Sequence, residues 1–147
     1  MLRRLAAAAA VSIALATSAF AGDKPHRIAI HVDQYDSRVM NMALNNATHL
    51  IEYYRARNED VDIDIITYGP GVHMLRADTS PVRDRIQQLK TMATAGKVQF
   101  SVCNNTKQAM EKAEGHEIPM VSDVIIVPSG VVRLMELQEQ GWSYVRP

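Results

Sequence analysis

The chain holds one cysteine, Cys103, at the junction between an apolar run, Val98-Gln99-Phe100-Ser101-Val102, and a helix-opening signal, Asn104-Asn105-Thr106. With no second cysteine it forms no internal disulfide, so its thiol is either a small core residue or a nucleophile. Free cysteine is among the residues most often buried, which favours the first reading in mid-strand. A place between a strand and a helix favours the second. There the sulfur meets unpaired backbone N–H groups and the positive end of a helix dipole, both of which stabilise thiolate over thiol. Thiolate is the form that attacks sulfur and carries a persulfide, so the spacing predicts a depressed thiol pKa.

Other residues that could serve a site are scattered, each with a plainer duty beside the chemical one. Asp33 and Asn104 are placed to hydrogen-bond a bound group or to cap helix starts. Tyr68, before Gly69-Pro70-Gly71, closes a crevice or packs at a strand end. His73 and Arg76, in the loop that follows, offer positive charge to a sulfur anion such as thiosulfate, or are surface residues. Ser129 lies in a Pro128-Ser129-Gly130 turn without a Ser-His-Asp signature. Gly69 and Gly71 belong to neither a GxGxxG nor a GxxxxGK[ST] run, so no nucleotide cofactor is expected. The five histidines (His26, His31, His49, His73, His116) show no ligand spacing, and no zinc site is expected.

The beginning of the chain reads as an export signal: Arg3 and Arg4, an apolar stretch from Leu5 to Ala16, and a small-x-small cleavage site at Ala19-Phe20-Ala21. The stretch is shorter than the roughly 20 residues that span a bilayer. Residues 1–21 are therefore expected to be removed, leaving residues 22–147 as one periplasmic domain with no membrane attachment. Without Arg3 and Arg4, 14 basic side chains face 16 acidic ones, a net charge of −2. A slightly acidic domain, from a chain with only one Trp and two Phe in all, lacks both the basic surface and the stacking platform of a nucleic-acid binder.

Strands and helices alternate along the rest. Arg27–Val32, Val61–Tyr68, Val98–Val102 and Val124–Val127 read as strands, with Trp142–Val145 a short fifth. Asp62 and Asp64 alternate on the second, which suggests a solvated edge. Between strands, Val39, Met40, Ala43, Leu44, Ala47, Leu50, Ile51 and Tyr54 form a helical stripe capped by Asp36. Ser80-Pro81 opens a second helix, with Val82, Ile86, Leu89, Met92 and Ala93 inward and Gly96 as its end. Asn105–Ala113 is a third, and Val131, Leu134, Met135 and Leu137 mark a fourth. The pattern predicts an α/β domain: a three-layer α/β/α arrangement about an open, mostly parallel five-stranded sheet. Its strand ends share one edge, where Asp33-Gln34, Tyr68–Gly71, Cys103–Asn105 and Pro128–Gly130 converge.

These residues carry a resemblance. Tyr68-Gly69-Pro70-Gly71-Val72, Val102-Cys103-Asn104-Asn105-Thr106 and Val127-Pro128-Ser129-Gly130-Val131-Val132-Arg133-Leu134, running on to Pro147, are similar to the DsrE/DsrF-like family of small sulfur-relay proteins, in its exported branch. The resemblance spans nearly all of residues 22–147. It implies the DsrE-like fold, a trimer or hexamer, and transient carriage of sulfane sulfur on Cys103. The implied partners are a sulfur donor and acceptor, either proteins or small sulfur compounds. Two other functions suit the same fold: a non-catalytic small-ligand-binding module, and an oligomeric scaffold, each with an incidental cysteine.

Overall fold

A computed structural model describes residues 25–93 and 97–147. The expected signal segment and the expected helix end at Gly96 lie outside the described residues. The elements are β1 (His26–Val32), α1 (Ser37–Arg55), β2 (Val61–Thr67), a 3-10 segment (Gly69–Leu75) and α2 (Arg83–Met92). Then come β3 (Val98–Cys103), α3 (Asn104–Glu114), β4 (Ile125–Val127), α4 (Gly130–Glu139) and β5 (Ser143–Val145). The five strands form one parallel sheet, as the alternating pattern predicts, and their order is β4-β3-β2-β1-β5.

That order assigns the helices to faces. The chain steps from β1 to β2 to β3 to β4 in one direction, and right-handed crossovers put α1, α2 and α3 on the same side. The last connection returns across the whole sheet to β5, so α4 alone covers the other side. On the first side Ile28, Ile30, Val32, Ile63, Ile65, Phe100 and Val102 pack against Met40, Leu44 and Ile51 of α1 and Ile86 and Leu89 of α2. Each large apolar side chain buried this fully contributes about 1.5–3 kcal/mol. On the second side the apolar cluster is small: Ala29 and Ile66 under Leu134 and Leu137, edged by Tyr68 and Trp142.

The rest of the second face is polar, and this corrects the expected solvated edge. β2 is the central strand, and Asp64 is 1% exposed. Its carboxylate accepts from the Ser101 hydroxyl (2.7 Å), the Gln99 amide (3.0 Å) and the Arg133 guanidinium (2.9 Å). Burial pushes Asp64 up from its ordinary pKa, with Ser101, Arg133 and Gln99 pulling the other way. The Arg133 pair ties α4 to the middle of the sheet. Asp62, at the strand's start, accepts the Lys97 N–H.

A second correction concerns α2, which begins at Arg83 with Val82 as its cap residue. Ser80 instead donates its hydroxyl to the Met74 carbonyl and accepts the Val82 N–H, so it closes the loop before the helix. That loop is itself ordered as the 3-10 segment, which buries Val72, Met74 and Leu75. Among the described residues, no helix is long and apolar enough to cross a membrane.

Candidate functional site

Cys103 is the last residue of β3, opposite Val127 in register, and its successor opens α3. Its backbone is extended, so the sulfur lies ahead of the first turn of α3. The start of α4 reaches the same point from β4. There Gly130 allows a close approach: a Cβ at that position would stand 2.9 Å from the Tyr68 Cβ and 3.3 Å from the Cys103 Cβ. Two helix N-termini thus converge on one thiol.

Burial pushes the Cys103 thiol up, but hydrogen bonds to the sulfur outweigh it. The Gly130 N–H, the Thr106 hydroxyl and the N–H groups of Thr106 and Asn105 together hold it below its ordinary value. The Thr106 oxygen accepts the Gly69 N–H at 2.9 Å, which leaves its own hydrogen for the sulfur. Cys103 is 5% exposed, and it belongs to neither hydrocarbon cluster. Its polar neighbours are the donors at the starts of α3 and α4.

The four expected turns do meet. Gly71 packs so tightly that an added Cβ would collide with the Val32 carbonyl, which fixes the loop after β2 against the end of β1. Tyr68 stacks on His31 with ring centroids 4.6 Å apart, and its ring flanks Gly130 beside Cys103. Burial, followed by the charge of Asp33, raises the Tyr68 pKa and keeps the phenol protonated. Asp33 accepts two bonds from Arg146, at 2.8 and 3.0 Å, and this ion pair joins the ends of β1 and β5. Asn104 is the first residue of α3, and Ser129 caps α4 by accepting the Val132 N–H.

The loop cations do not serve as expected. Arg76 is buried, its guanidinium paired with Asp78 (2.8 Å) and Glu114 (2.5 Å), so no charge is left for a sulfur anion. That clamp raises the Arg76 pKa and draws Asp78 down to about 2. His73 lies against Tyr35 with their rings tilted by 32°, and burial lowers its pKa, leaving a neutral ring.

Thr106 and Gly130 are site residues that sequence reasoning passed over, although both lay in the quoted motifs. A threonine three positions after a strand-end cysteine faces back toward the cap position, and that spacing was the available signal. His31, Tyr144 and Arg146 had none. The His31 Nδ1 and the Tyr144 hydroxyl share a hydrogen bond of 2.9 Å across 113 residues of chain. Among the described residues, no group of three His, Cys, Asp or Glu side chains is placed to hold a metal ion.

A parallel α/β sheet with a helix-capped thiol at its carboxyl edge defines the class of protein. The family is then given by comparison. The model of the DsrE/DsrF-like family matches residues 6–147, and the chain belongs to that family. Among solved structures it is similar to the protein of unknown function MTH1491 from Methanobacterium thermoautotrophicum, at 29% identity and a TM-score of 0.67. That likeness covers 83% of this chain and 99% of the other. No curated protein matches the chain.

Proposed function

We propose that this protein carries sulfane sulfur as a persulfide on Cys103, in the periplasm, after loss of residues 1–21. The observation that carries the reading is the convergence of the α3 and α4 N-termini on a thiol held below its ordinary pKa. In the loading step the Cys103 thiolate attacks the outer sulfur of a donor R–S–SH. The donor S–S bond breaks, its electron pair stays on the inner sulfur, and that sulfur takes the proton to leave as R–SH. An acceptor thiolate reverses the exchange and restores the Cys103 thiolate. No net oxidant is consumed.

Low exposure is compatible with this work. A persulfide places its reactive atom about 2 Å beyond the Cys103 sulfur. The N–H groups that hold the thiolate also stabilise the persulfide anion, and low exposure shields the sulfur from larger oxidants. Val131, Val132 and Met135 of α4 are 57%, 47% and 55% exposed, which supports the homo-oligomer, a trimer or hexamer, that the family resemblance implies.

Intact-mass spectrometry after exposure to polysulfide, thiosulfate or glutathione persulfide tests the reading. The expected result is a gain of one sulfur atom, lost in Cys103→Ser. A thiol that stays unmodified by every donor under native conditions overturns carriage and favours the ligand-binding or scaffold functions.

A further inference from the structure

The Asp33–Arg146 pair stands apart from the buried clamps and the short-range pairs among the described residues. Arg76 and Asp64 are sealed in and hold elements together. Arg38–Asp36 and Arg57–Glu59 join residues two apart. Arg146 and Asp33 are 113 residues apart, sit at the carboxyl edge of the sheet, and remain 49% and 23% exposed at their side chains. Their backbones are fixed independently of the pair, by the Ile30–Val145 register of β1 and β5 and by the His31–Tyr144 hydrogen bond. Opening the pair therefore leaves both charges in place, and an exposed ion pair costs little to open.

A continuous wall connects this pair to the thiol. Tyr68 stacks on His31 and flanks Gly130 beside Cys103, and its phenol lies within the charge fields of Asp33, Arg146 and Cys103 together. One polar atom on the wall lacks a partner among the described residues: the buried His31 Nε2, 3.8 Å from Asp33 Oδ2. The His31 side chain is only 5% exposed, and an unpaired polar atom so buried is costly unless something else bonds it. Burial keeps the imidazole neutral. In the tautomer that gives its Nδ1 hydrogen to the Tyr144 hydroxyl, Nε2 presents a lone pair toward Asp33.

We propose that Asp33, His31 and Arg146 form a headgroup site for the sulfur donor, and that the donor is the persulfide of an α-amino acid. This rests on the persulfide reading of Cys103. The donor ammonium takes the place of Arg146 against Asp33 and donates to His31 Nε2. Its carboxylate takes the place of Asp33 against Arg146. One zwitterion exchanges for one ion pair, so no charge is left unpaired. A dianion such as thiosulfate meets the Asp33 carboxylate and gains nothing from His31. Bound this way, the donor side chain runs along Tyr68 toward Cys103, where the exchange described above occurs.

The test compares loading of Cys103 by cysteine persulfide, by cysteamine persulfide, which lacks the carboxylate, and by hydrogen disulfide, which lacks any headgroup. In the wild type, half-saturation by cysteine persulfide is expected at the lowest concentration. In Arg146→Gln the preference for cysteine persulfide over hydrogen disulfide falls about tenfold or more, as loss of a charged hydrogen bond predicts. Asp33→Asn erodes the preference for cysteamine persulfide over hydrogen disulfide. Equal losses for all donors, or none, overturn the headgroup site while leaving sulfur carriage intact. In a separate arm, unreactive S-methyl-L-cysteine is titrated into Cys103→Ser by calorimetry. Binding that disappears in Cys103→Ser/Arg146→Gln supports the headgroup site whatever the sulfur chemistry, and absence of binding overturns it. If no donor loads Cys103 yet S-methyl-L-cysteine binds through Arg146, carriage falls and the amino-acid site stands.

Discussion

The two faces of the sheet are built from different materials. Beneath α1 and α2 the strands present Ile, Val and Phe to a hydrocarbon layer that includes Ile65 and Phe100, both fully buried. Beneath α4 they present Asp64, Ser101, Gln99, His31 and Cys103, and the apolar filling among the described residues is a small cluster of Ala29, Ile66, Leu134 and Leu137 edged by Tyr68 and Trp142. The first face supplies nondirectional stabilisation. The second uses directional bonds that fix where one helix begins. The contrast teaches that α4 is held less to bury hydrocarbon than to bring the Gly130 N–H to the Cys103 sulfur.

The comparison breaks most severely on the hydrocarbon side. Phe100→Ala should cost about 4 kcal/mol of stability by chemical denaturation, from lost transfer energy plus a cavity. It should leave the thiol pKa of the surviving folded fraction unchanged. Arg133→Met should cost about 3 kcal/mol, because Asp64 is left buried without its cation. Here the thiol pKa should also rise, because α4 loses its tether; a pH profile of thiol alkylation separates the two variants.

Gly130→Ala sharpens the contrast. The added methyl meets the Tyr68 side chain at 2.9 Å, and overpacking of this kind costs about 1–3 kcal/mol. Its signature is a raised thiol pKa out of proportion to the lost stability. Thr106→Val, nearly isosteric, should cost about 1 kcal/mol and raise the thiol pKa, whereas Thr106→Ser restores both. Normal alkylation profiles in both Gly130→Ala and Thr106→Val would show that the second face does not tune the sulfur.

Linkage gives the smallest effect and a definite sign. The folded-state pKa of Cys103 lies below the ordinary 9.0, so the unfolded chain holds the proton over the interval between the two values. The wild type should therefore gain stability relative to Cys103→Ser as pH rises through that interval, and lose the gain as pH falls below the folded value. Melting temperatures of the pair across pH 6–10 measure it (about pH 6–10 brackets an ordinary thiol).

Much of the fold was legible because helix and strand periods are local. The stripe from Met40 to Ile51 and the strand ending at Cys103 could be placed from spacing alone. Strand order was not legible, and this is why Asp64 read as an edge residue. Alternation reveals which residues share a face, but a central strand under a polar network alternates as an exposed one does. Arg76 failed for a related reason. Its partner Glu114 is 38 residues away, so a buried clamp looked like a free loop cation. The cysteine was visible as a strand-end thiol, while Gly130, which completes its donor set, comes from the opposite side of a crossover.

The central claim is that Cys103 is a thiol primed by two helix N-termini, and its alkylation rate as a function of pH measures this most directly. Folded protein should show a rate midpoint below that of the same chain unfolded in denaturant. A folded midpoint equal to or above the unfolded one, or a thiol that reacts only on unfolding, would contradict the account.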